Sequence, residues 1–280
     1  MKPLTNQIDL DHRERSTREG VSPPGPAVRD RPRINYALPV LPTDAVVTKQ
    51  ADAVLRILDG EPSVGKMVQI ASNAAQEQRK STEAGKHECP ETACAKQCFY
   101  CCHLTTIAVA IPEVLAVAEH VKRTATPDEL DALRRRIDEF IVETNRLSGE
   151  ERERFRFPCP LLAEGDCSVY EVRPLACQGW NSLDVSKCRE DFFNPERDVV
   201  APVSRPQVEN SWKLRAGMYL GLRRAGLKGE RVDFIPALKI AMDGPDGLRR
   251  WLGGESFTDP EADARNVDPA PSDHTTRDPL

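Results

Sequence analysis

The sequence lacks any apolar run that could cross a membrane: about 18 such residues in a row are needed, and no stretch approaches that length. Its opening, Met-Lys-Pro-Leu-Thr-Asn-Gln-Ile-Asp-Leu-Asp, has no apolar core of the kind a secretory signal carries. The expected location is the cytoplasm, where thiols stay reduced, so a disulfide scaffold is disfavoured. No basic block stands out and the formal net charge is −5, which argues against nucleic acid as a partner. There is no P-loop, no G-x-S-x-G, no Ser/His/Asp signature and no Gly-rich strand–turn–helix motif for a nucleotide. Carboxylates are abundant, but none fall at a spacing that reads as an acid–base pair. No internal repeat of solenoid period occurs.

What is present begins with a moderate hydrophobic content of 39%, charged residues at 30% and 23 prolines. That mixture predicts a folded centre with disordered ends. Residues 1–42 contain Val21-Ser22-Pro23-Pro24-Gly25-Pro26, which cannot be helical, and are expected to be a disordered tail. Residues 254–280, dominated by Asp, Pro and Ser, are expected to be a second one. The folded domain is placed at 43–253, with a cysteine core at 89–188.

Helical spacing dominates the domain. Thr43 reads as an N-cap, followed by Val47, Ala51, Val54, Leu55 and Leu58, with Gly60 ending the run. A second helix is predicted over 63–82, with Met67, Ile70, Ala71, Ala74 and Ala75 on its inner face. Residues 107–110 read as a short extended stretch, and Pro112 and Glu113 suit the first turn of a helix reaching about Lys122. Thr126, Pro127 and Glu129 form a capping-box arrangement for the next helix. Its face carries Leu130, Leu133, Ile137, Phe140, Ile141 and Leu147. Residues 150–156 read as a charged, solvated connection. A helix is predicted over 205–225 with Val208, Trp212, Ala216, Tyr219 and Leu220 inward, and shorter ones near 232–242 and 245–252.

The chemistry lies in the cysteines. There are nine, and eight fall in two groups: Cys94, Cys98, Cys101 and Cys102, then Cys159, Cys167, Cys177 and Cys188. Cys98-Phe99-Tyr100-Cys101 is a C-x2-C knuckle, and short loops of this kind let thiolates converge on one centre. The vicinal pair Cys101-Cys102 is awkward on a single zinc, because adjacent side chains point different ways in most backbone conformations. One of the pair then serves a different metal, a different iron of a cluster, or no metal. Eight thiols could form two zinc sites, one four-thiolate cluster with spare thiols, or a site of mixed nuclearity. Cys89 stands apart and reads as a spare thiol. His87 and His103 flank the first group and read as structural rather than as ligands. Arg173 either compensates thiolate charge or holds the turn before Pro174. Tyr170 reads as a core ring, Glu171 as a partner for Arg173, and Trp180 as packing.

These blocks resemble the YkgJ-type cysteine-cluster family, the CxxCxxCC zinc- or iron-chelating domain. The family's first block has two spaced cysteines and then a doubled one, matched by Cys94, Cys98, Cys101 and Cys102. Its second block opens cysteine–proline, matched by Cys159-Pro160-Leu161-Leu162. A Gly-x-Cys-x-Ile/Val-Tyr-Glu-x-Arg-Pro-x-x-Cys run follows, matched from Gly165 to Cys177. The resemblance spans about 89–188. The first spacing here is C-x3-C, and Gln178 stands where the family often has Arg. The resemblance implies a metal-chelating domain holding zinc, iron or an iron–sulfur cluster. Flagellin lysine methylases are similar in their cysteine blocks, which raises a methyltransferase alternative.

The expected fold is mainly α, with helices around an irregular cysteine-rich metal-binding lobe. The expected function is metal binding through the eight clustered cysteines, the cofactor being an iron–sulfur cluster (4Fe–4S) or Zn2+. The alternative is an iron–sulfur enzyme acting on a protein, methyltransferase-like or an oxidoreductase. A protein partner or substrate stays open; nucleic acid and membrane are not expected.

Overall fold

A computed structural model describes residues 43–85, 91–95, 97–197, 199–243 and 247–257. The tail expected at 1–42 lies outside them, as do His87, Cys89 and all but 254–257 of the expected C-terminal tail. The described residues are mainly helical, as expected. None of their helices is long and apolar enough to cross a membrane.

Helix α1 spans Ala45–Ile57, and its N-cap is Asp44 rather than Thr43. The Asp44 carboxylate accepts from the Val46 and Val47 amides and pairs with Lys213 at 3.0 Å. An anion at this position also complements the positive end of the helix. Helix α2 spans Val64–Ala84, capped by Ser63, and buries Met67, Ile70, Ala74 and Ala75 as its spacing predicts, whereas Ala71 of the predicted face is only half-buried. It also buries Gln78, which donates to the Gln207 carbonyl and accepts from Asn210.

Strand β1, Ala108–Ala110, leads directly into α3, Ile111–Thr124. Every residue of α3 from Ile111 to Ala118 is buried, so it is the central helix, packed between α2 and the C-terminal segment. Helix α4, Pro127–Asn145, starts with the capping box Thr126/Glu129. Its buried face is Leu133, Ile137, Phe140 and Thr144; Leu130, Ile141 and Leu147 are only half-buried.

The charged connection is not simply solvated. It forms a short helix α5, Gly149–Arg154, and Arg152 is 5% exposed. Arg152 donates to the Thr144 carbonyl and to Asn145 Oδ1, and lies 3.8 Å from Asp233. Backbone and amide acceptors satisfy the guanidinium, so burial is tolerated where charge alone predicts a surface.

Strands β2 (Leu162–Ala163) and β3 (Asp166–Cys167) form a hairpin. Its two-residue turn is Glu164-Gly165, both at positive φ (52° and 85°), as a type I′ turn requires. Helices α6 (Leu175–Gly179) and α7 (Val185–Phe193) follow, then the long α8, Arg205–Arg224. Strand β4 (Arg231–Asp233) pairs antiparallel with β1, Val109 opposite Val232. Helices α9 (Phe234–Met242) and α10 (Gly247–Leu252) follow; α9 packs against α3 and α4, and α10 against α9.

The inward face of α8 differs from the predicted one. Val208, Ser211, Leu214, Gly217, Met218, Gly221 and Leu222 are buried, whereas Trp212, Ala216, Tyr219 and Leu220 are half-buried. The reason is close approach. A Cβ on Gly217 would sit 2.7 Å from the Val47 carbonyl oxygen, and one on Gly221 would sit 2.6 Å from Val54 Cβ. Small residues four apart let α8 lie directly against α1, and this rotates the bulky positions aside.

Candidate metal centre

The cysteine lobe is held to the helical core at defined points. The excursion between the two cysteine groups is closed by backbone pairing: Cys159 N–H donates to the Cys102 carbonyl at 2.8 Å and Phe157 N–H to the His103 carbonyl at 3.1 Å. A bridge between Leu104 and Arg156 extends this pairing. The two groups are therefore brought together by main-chain hydrogen bonds. Glu113, 3% exposed, fixes α6 from below. Its carboxylate accepts from Ala110 N–H at 2.7 Å and from Leu175 N–H at 2.6 Å, so the central helix positions the short helix that carries Cys177. Burial raises the Glu113 pKa, while the two amides oppose the rise.

All eight predicted cysteines are described, and all are free thiols. Their sulfurs are near enough to alter one another's protonation. Among the described residues, however, no three Cys, His, Asp or Glu side chains are closed around one point as a finished coordination sphere. The thiols are neighbours, not a completed cage.

A repeated local geometry orients three of them. The Tyr100 amide faces the Cys98 sulfur, the Leu161 amide the Cys159 sulfur and the Val169 amide the Cys167 sulfur. Each donor lies two residues beyond its cysteine. An N–H aimed at sulfur stabilises a thiolate and leaves its outer lone pairs for a cation. Gln97, just before Cys98, has φ of 65°, and this left-handed residue turns the chain into the knuckle.

The charge state follows from burial and from Arg173. Burial pushes the Cys159 thiol up to about 12 and Cys177 well above its ordinary value. Cys98, Cys167 and Cys188 are also raised, burial being the first cause in each. Cys102 is the exception. Its sulfur accepts a hydrogen bond from the Cys101 thiol, and with Arg173 nearby it is lowered to about 7; Cys101 is raised by the same bond. Arg173 also favours the thiolates of Cys167 and Cys177. The guanidinium therefore lies where it opposes the effect of burial on these three sulfurs. Four thiolates on one zinc leave a net charge of about −2, which a guanidinium offsets.

Several neighbours differ from expectation. Tyr170 is not a core ring: it is 61% exposed and lies under the Arg173 guanidinium, 4.1 Å from ring centroid to Cζ. Glu171 is exposed. Trp180 is 40% exposed rather than packed in the interior. Gln178 donates to the Arg173 carbonyl at 2.7 Å, which holds the turn. His103 is structural, as expected: it is buried, Nδ1 donates to the Phe99 carbonyl at 3.0 Å, and its ring packs edge-on against Phe192.

Two contributors had no sequence signal. The Ser182 amide donates to Cys94 Sγ at 3.3 Å, and its hydroxyl lies against the Cys188 sulfur. Phe192 packs against Phe99, Tyr100 and His103, clamping α7 over the first cysteine loop. Neither role follows from local spacing, because the first cysteine group lies about ninety residues away along the chain.

Eight reduced thiols, amides directed at sulfur and a compensating arginine fit a thiolate-bound metal. The site defines a thiolate-rich lobe built into a helical protein. Residues 93–196 match the model of the CxxCxxCC family, whose description is "Putative zinc- or iron-chelating domain". The match spans all eight clustered cysteines and bears out the resemblance read from their spacing. No curated protein and no solved structure matches the chain.

Proposed function

We propose that this protein chelates zinc or iron through its clustered cysteines, and that an iron–sulfur cluster is the form best suited to so many thiols. The observation that carries this reading is the convergence of reduced thiols from two separate stretches, 94–102 and 159–188, onto one lobe, where Cys102 of the first lies beside Cys167 and Cys177 of the second. The ligands are Cys94, Cys98, Cys101, Cys102, Cys159, Cys167, Cys177 and Cys188. When bound, the metal supplies the positive charge that draws protons from thiols otherwise kept neutral by burial. The chain's own residues then hold the thiolates: main-chain amides orient the sulfurs, and Arg173 offsets their charge. The reading places the protein in a reducing compartment, the cytoplasm.

Elemental analysis with a visible spectrum, on full-length protein purified without oxygen, tests this. Bound zinc or iron is expected, and an iron–sulfur cluster absorbs visible light where zinc is silent. Replacing Cys98 and Cys101 together with Ser should lower the metal content. Unchanged metal content in that variant would overturn the ligand assignment.

A further inference from the structure

We propose that the eight thiols form two neighbouring metal centres, divided between the adjacent residues Cys101 and Cys102. Cys94, Cys98, Cys101 and Cys188 hold one; Cys102, Cys159, Cys167 and Cys177 hold the other. The inference rests on the chelating function proposed above and specifies its stoichiometry and ligand sets.

The first set is assembled by Ser182 and Phe192. Ala93 N–H donates to the Ser182 carbonyl at 2.7 Å, and the Ser182 amide returns a bond to Cys94 Sγ. The same serine's hydroxyl lies beside the Cys188 sulfur, which ties Cys94 to Cys188. Cys188 stands one helical turn before Phe192 on α7. The Phe192 ring meets Phe99 and Tyr100 at centroid distances of 6.0 and 5.5 Å, and those two residues separate Cys98 from Cys101. The aromatic clamp therefore brings Cys188 onto the C-x2-C knuckle.

The second set is assembled by the β2–β3 hairpin. Cys159 bonds through its amide to the Cys102 carbonyl. Cys167 pairs across the hairpin with Leu162, and Ser168 N–H donates to the Leu161 carbonyl at 2.9 Å. Cys159 and Cys167 thus flank one tight turn. Cys177 arrives on α6, which Glu113 anchors, and Arg173 faces Cys102, Cys167 and Cys177.

Cys101 stands between the sets, beside Cys102 and Cys177 of the second as well as Cys98 of the first. Its place in the first set follows from counting. The second set is complete with four sulfurs, whereas Cys94, Cys98 and Cys188 make only three. Four thiolates are the donor set of a structural zinc and of a four-iron cluster alike. Two such sets account for all eight sulfurs, and assigning the vicinal pair to separate centres removes the strain of placing both on one ion. The Cys101 and Cys102 sulfurs are within hydrogen-bonding distance, so the two centres are immediate neighbours.

Titration of the full-length protein with Co2+ under anaerobic conditions tests this, read by thiolate-to-cobalt charge-transfer absorption and by elemental analysis. Wild type should saturate at two equivalents per chain. Cys94→Ser with Cys188→Ser should saturate at one, and so should Cys167→Ser with Cys177→Ser, each losing a different half. Saturation of wild type at one equivalent, abolished in both double variants, would overturn the division and leave the chelating function standing. No thiolate-bound cobalt in wild type would overturn both. If a double variant loses its helical circular dichroism, the wild-type end point decides alone.

Discussion

Asp233 shows how position, not residue type, sets chemistry at the scale of one side chain. It joins β4 to α9, and its Oδ1 accepts the Ile107 amide at 3.3 Å. Among the described residues, Oδ2 receives no hydrogen bond, and Arg152 stands 3.8 Å away. Desolvation therefore outweighs the attraction, and the pKa is raised from 3.8 to about 6. A raised carboxylate holds its proton more tightly folded than unfolded. Its contribution to stability is full below the ordinary value and is lost as pH rises through about 6. Asp233→Asn removes that loss, so the variant should gain stability relative to wild type between about pH 5 and about pH 7. Urea unfolding midpoints at the two pH values check this, and an unchanged difference would mean that Asp233 does not titrate there.

At the scale of elements, the pairing of α1 with α8 depends on two missing side chains. Gly→Ala in a helix gains up to about 1 kcal/mol of propensity. At Gly221 the new Cβ would meet Val54 Cβ at 2.6 Å and the Ala51 carbonyl oxygen at 2.8 Å. Backbone cannot swing aside as a side-chain tip does, and overpacking costs about 1–3 kcal/mol. The clash should win, so Gly221→Ala should lower the urea midpoint. Gly85, where an added methyl would have nothing within 4 Å, is the control and should tolerate alanine. Much at this scale was legible from periodicity: Thr126-Pro127-Glu129 marks the start of α4, and Met67, Ile70 and Ala74 mark the inner face of α2. The α8 face was not, because hydrophobic spacing rewards bulky residues, whereas this interface is built where bulk is absent.

At the scale of the whole molecule, the helical core and the cysteine lobe draw on different sources of stability. The core is an apolar cluster supplied chiefly by α1, α2, α3, α4, α8 and α9, to which the lobe contributes Leu161, Val169 and Leu175. A structural metal is worth about 10–16 kcal/mol to a small thiolate site, and the lobe has little else of comparable size. Stripping the metal with a chelator should therefore lower Tm while far-UV circular dichroism below Tm stays largely helical. Hydrogen exchange should rise in 94–103 and 159–188 and stay low in α3. Complete loss of helicity on chelation would show instead that the core depends on the metal.

By itself the sequence determined the cysteine inventory, the helical class and the resemblance that the family match bears out. Cysteine spacing, capping residues and apolar period are local, and short-range chemistry writes them directly into the chain. Only the tertiary structure decided which sulfurs are neighbours. Ser182, Phe192, Glu113 and Arg173 act on cysteines through folded contacts, several of them made between residues far apart in the chain. Hydrogen bonds and burial of that kind depend on distance in space, which spacing along the chain does not encode.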